Sequence, residues 1–90
     1  MTPADIAAEI MRQTEARGAG SSICPSEVAR ALAPDDWRPL MGPVRQAAAD
    51  LSEAGQVVIL RKGKPVPASE MRGVIRLTTA GRITPGKDSA

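Results

Sequence analysis

The chain has no histidine, no phenylalanine and no tyrosine, and only one tryptophan and one cysteine in 90 residues. Each scarcity removes a class of chemistry. Without histidine the commonest zinc ligand and the commonest general base are missing. A lone Cys24 cannot close an intrachain disulfide and has no second thiol or imidazole to relay to. With Trp37 as the sole aromatic, capture of single strands by successive stacked bases is disfavoured. No apolar run approaches the ~20 residues of a membrane span, and the opening MTPADIAAEI lacks the basic start and apolar stretch of a secretory signal. The expectation is a cytoplasmic protein without membrane contact, metal or cofactor, acting by binding and not as an enzyme.

What is present suits a small α+β domain. A chain this short buries only about 60 to 65% of its unfolded surface, so a large catalytic cleft is not expected. The core must be built from Ile, Val, Leu, Met and Ala, and dimerisation would add to a modest stability. Formal charge is +2, unevenly divided. Residues 1–36 carry net −3, whereas the chain from Trp37 onward carries net +5. The cationic half is therefore the expected contact half.

Helix signals come in order. Thr2, Pro3 and Asp5 form an N-terminal signature, and Ile6, Ile10 and Thr14 recur every four residues until Gly18–Gly20 stop the helix. Pro25 and Glu27 open a second helix with Val28 and Leu32 on its buried edge. Pro34, Asp35 and Asp36 make a turn. A third helix is expected from about Trp37 to Ala54, closed by Gly55, with Trp37, Leu40, Met41, Val44, Ala47, Ala48 and Leu51 on one side. Pro43 should kink it or restart it.

Gln56–Leu60 and Val74–Thr78 read as antiparallel strands. Between them RKGKPVPASEMRG is too long for a two-residue hairpin and reads as an extended loop or wing. The domain is expected over 1–80, with 81–90 a flexible tail.

The strings SICPSEVARAL, DDWRPLMGPVRQAAADL, RKGKPVP and RGVIRL, in that order between Ser22 and Leu77, resemble a small bacterial winged-helix family catalogued as domain of unknown function 3253, and the resemblance spans roughly Ile6 to Leu77. The resemblance implies a winged helix-turn-helix of three helices and a small antiparallel sheet. It implies no established activity. The wider winged-helix class is rich in DNA-binding regulators, so duplex DNA enters as a partner by analogy of fold alone.

The expected contact residues are Arg38, Arg45 and Gln46 on the third helix, to read or position, and Arg61, Lys62, Lys64 and Arg72 on the wing, to hold phosphates. Each group has a plainer explanation. Arg38 and Arg45 could form the solvated face of an amphipathic helix, and the wing cations with their prolines could protect a strand edge. Trp37 is better placed as a core anchor than as a base-stacking ring, and Cys24 as a small buried side chain than as a reactive thiol. The alternative function is a protein-interaction module of the same fold, or a homodimer, without nucleic acid.

Overall fold

The computed structural model describes residues 2–18 and 20–80. Helices α1 (Pro3–Arg17), α2 (Pro25–Leu32) and α3 (Met41–Glu53) precede strands β1 (Val57–Arg61), β2 (Lys64–Val66) and β3 (Arg76–Thr79). The strands form one antiparallel sheet in the order β2-β1-β3. This is an α+β architecture consistent with a winged helix.

Local chemistry explains the helix ends. The Thr2 amide donates to Asp5 Oδ2 at 3.1 Å while the Asp5 amide donates to Thr2 Oγ1 at 3.2 Å, so the two residues satisfy each other at the start of α1. At α2 the Cys24 amide donates to Glu27 Oε2 at 2.9 Å. The expected single helix from Trp37 is divided: Arg38–Leu40 form a 3₁₀ turn and α3 starts at Met41. Pro43 consequently falls in the first turn of α3, where its missing N–H would have had no intrahelical acceptor. Gly55 closes α3 with φ +77, its amide donating to the Ser52 carbonyl and that of Gln56 to the Leu51 carbonyl.

Ile6 and Ile10 of α1, Val28 and Ala29 of α2, and Val44, Ala47 and Ala48 of α3 pack on Val57 and Ile59 of β1 and Leu77 of β3. Trp37, Leu40, Met41 and Leu51 lie partly buried around that core, as the α3 stripe requires. Ile23, in the short link before α2, is fully buried and exchanges two 2.8 Å backbone hydrogen bonds with Leu77. It thus adds one residue of pairing along the outer side of β3.

The wing differs from the expected open loop. Arg61 pairs with Lys64 across a two-residue hairpin whose central residues, Lys62 and Gly63, both have positive φ (+54 and +80). That combination gives a turn whose twist matches the strands on either side. Pro65 is accommodated because β2 is an edge strand. The chain then makes a 3₁₀ turn at Ala68–Glu70 and an arm through Met71–Ile75 into β3. The second strand starts at Arg76 instead of Val74, since the ladder with β1 ends at the pair Leu60–Arg76. The tail expected over 81–90 lies outside the described residues. Among the described residues no helix is long and apolar enough to cross a membrane.

Candidate nucleic-acid interface

The three residues expected to read from the third helix diverge. Arg38 is exposed in the 3₁₀ turn, with its guanidinium 4.8 Å from the centre of the Trp37 ring. Arg30 of α2 approaches the same ring at 4.5 Å, and cation–π attraction holds both charges beside the indole. Arg45 turns toward the wing arm, where Nη2 donates to the Met71 carbonyl at 2.9 Å and Nη1 to the Gly73 carbonyl at 3.1 Å. Gln46 turns the other way, toward α1, and donates to Asp50 Oδ1 at 3.1 Å. The exposed residues of α3 are Gly42, Pro43, Gln46, Asp50 and Glu53. That face carries two carboxylates and no cation, which is poor electrostatics for a helix laid against phosphates.

The wing cations, in contrast, converge. Arg61, Lys62 and Arg72 line one shallow recess, and Arg61, Lys62 and Lys64 line its neighbour across the hairpin. The β1–β2 register explains the second group, since Arg61 and Lys64 face each other across the turn that Lys62 begins. Arg72 joins from the arm that Arg45 ties down. Among the described residues the ion pairs are Arg12–Glu9 and Arg17–Glu27, both on the helical side of the molecule. None of the four wing cations has a carboxylate within ion-pair distance among those residues.

Two residues escaped the sequence reading. Arg76 donates through Nε to Ser22 Oγ at 2.6 Å, through Nη2 to the Ser22 carbonyl at 2.9 Å and through Nη1 to Cys24 Sγ at 2.9 Å. It binds β3 to the link before α2 and adds charge beside Lys62. Cys24 is half-buried instead of buried as expected, because its Sγ turns toward the exposed Arg76 guanidinium. Val74 stands 86% exposed on the arm, the large hydrophobic side chain most out of place among the described residues. The alternation that turns Arg76 outward and Ile75 inward contains the signal for it.

A second feature lies away from the wing. Pro3, Ala4, Ile6 and Ala7 of α1 face Ala47 and Leu51 of α3 across an apolar groove of about 420 Å³.

The family model described as "Protein of unknown function (DUF3253)" matches residues 3–80. No curated protein matches the chain.

Proposed function

We propose, for a chain that belongs to the DUF3253 family and takes no assigned activity from that membership, that it binds duplex DNA through its wing. The observation that carries this reading is the convergence of Arg61, Lys62, Lys64 and Arg72 without carboxylate partners among the described residues. These side chains hold phosphates. Arg45 acts by fixing the arm that bears Arg72, Arg38 supplies a peripheral charge, and the α3 surface contributes proximity more than sequence reading.

The experiment is a titration of labelled duplexes by fluorescence anisotropy across salt concentrations. Four neutralised phosphates give a slope of about −3.6 in log K against log salt, a loss of about 150-fold between 50 and 200 mM. Nonspecific dissociation constants on the order of 10⁻⁴ to 10⁻⁶ M are expected near physiological salt. Substituting Lys62 or Lys64 by Ala lowers the slope by about one and weakens all sequences alike. No binding even at low salt would discard the reading. It would then favour a protein-interaction module, which the apolar groove between α1 and α3 supports as the second reading.

A further inference from the structure

Val74 and its surroundings combine features that phosphate binding alone does not need. The side chain forms a wall shared by two recesses, one with Arg61, Lys62 and Arg72, the other with Lys62 and Arg76. It is held outward by built contacts, since Arg45 draws in the Met71 and Gly73 carbonyls on either side of Arg72 and Arg76 is anchored to Ser22. An apolar side chain is thereby fixed at 86% exposure in the middle of four cations.

The hydrogen-bonding character of this patch is one-sided once Ser22 is set aside, its hydroxyl and carbonyl oxygens already accepting from Arg76. Arginine and lysine side chains donate and cannot accept, and valine does neither. The minor-groove floor of an A·T pair offers acceptors only, whereas a G·C pair adds the guanine 2-amino donor. A donor-only, apolar-centred surface satisfies the first floor and leaves the second with an unpaired amino group. In the major groove the same donors would favour G·C, where guanine O6 and N7 accept side by side, so the two grooves call for opposite preferences. Arginines are also drawn to the enhanced negative potential of a narrow A·T-rich minor groove. A lipid surface would share the attraction for cations, but membrane attachment scales with buried apolar area and one valine supplies little.

We infer that Val74, framed by Arg61, Lys62, Arg72 and Arg76, is a minor-groove contact that makes the domain prefer A·T-rich duplex DNA. The inference rests on the wing reading above. The Val74 methyl groups lie against deoxyribose edges while Arg72, beside it on the arm, donates to floor acceptors and the other cations take phosphates.

The test uses the full chain and three duplexes of equal length at one salt concentration: A·T, G·C, and inosine·C, which keeps the major-groove edge of guanine but lacks the 2-amino group. A·T and inosine·C should bind alike and about tenfold more tightly than G·C, the cost of one unsatisfied donor. Val74→Ser should weaken A·T binding by about fourfold for each methyl group withdrawn from the deoxyribose wall, with the salt slope unchanged. Val74→Asn installs an acceptor for the guanine amino group and should narrow the gap between A·T and G·C. Because Val74 is exposed, circular dichroism of both variants should match the parent. Inosine·C behaving like G·C, or all three duplexes binding equally, would overturn the minor-groove inference while leaving phosphate binding by the wing intact. No binding to any duplex at low salt, with or without binding to phosphatidylserine–phosphatidylcholine vesicles, would overturn both.

Discussion

Arg45 offers the sharpest test of how the wing is held, because its two roles, reading a base or clamping the arm, give opposite results on substitution. Its guanidinium spans from α3 to the carbonyls of Met71 and Gly73 at 2.9 and 3.1 Å. A hydrogen bond from a charged donor contributes about 1.5 to 3 kcal/mol when shielded and less where water can replace it. Only the Met71 bond is partly buried; the Gly73 bond is exposed. Taking the lower end for the first and a few tenths for the second, and offsetting the ordering of the arginine chain, gives about 1 to 1.5 kcal/mol for Arg45→Ala. With a urea dependence near 1 kcal/mol per molar, the unfolding midpoint should fall by about 1 M. Hydrogen exchange at the amides of residues 71–75 should accelerate more than at β1. Lysine presents a point charge in place of a fork, so Arg45→Lys should recover part of the loss. DNA affinity should drop through the loosened arm, and more for A·T than for G·C duplexes, because the same arm presents Arg72 and Val74. An Arg45→Ala protein with unchanged midpoint and unchanged arm exchange, but altered sequence preference, would refute the clamp.

Two further outcomes follow from other sites. Trp37 is partly buried between the core and two guanidinium groups, so its emission should be blue-shifted from that of exposed indole, and Arg38→Ala should increase its quenching by acrylamide; a fully water-exposed spectrum in the folded parent would contradict the packing. The Thr2 amide, and to a lesser degree its hydroxyl, hold the Asp5 carboxyl below its ordinary range, and Arg12 does the same for Glu9. Both groups are more acidic when folded, so their stabilisation is complete above the ordinary carboxylate pKa of about 4 and fades as pH falls through the lower folded values. Urea midpoints measured from pH 2 to 6 should show an acid limb that flattens in Asp5→Asn and Glu9→Gln, and an unchanged limb would mean that neither carboxylate stabilises the fold.

The parts of the molecule legible in the sequence are those governed by neighbours along the chain. Thr2 and Asp5 cap α1 three residues apart, the Ile6–Ile10–Thr14 stripe is buried at fourfold spacing, and Gly55 stops α3 as its conformation allows. The hairpin tip was hidden because Lys62 occupies a left-handed conformation that glycine or asparagine usually signals. The role of Arg45 was hidden for a different reason: its partners are backbone carbonyls 26 and 28 residues away, and a carbonyl has no residue type to recognise. Helical periodicity gave Arg45 an outward bearing without showing that the wing arm lies on that bearing. Gln46 shows the same limit, since one helical step of 100° separates facing the wing from facing α1.

The contacts of β3 with the link before α2 also set how the chain can fold. Arg76 and Thr78 bond to Ser22 and Ser21 across separations of 54 and 57 residues, and Leu77 pairs with Ile23 between them. The last strand therefore joins the link before α2 to the sheet, beside the packing of α3 on β1, and loop-closure entropy must be overcome before those bonds reward it. Helix formation in α1 and α2 can precede that closure but gains little until β3 arrives. Contacts of such long separation slow folding relative to a purely helical bundle of the same size. A chain cut before Arg76 keeps all three helical sequences and β1, yet loses Leu77 from the core and the backbone pairing that holds Ile23.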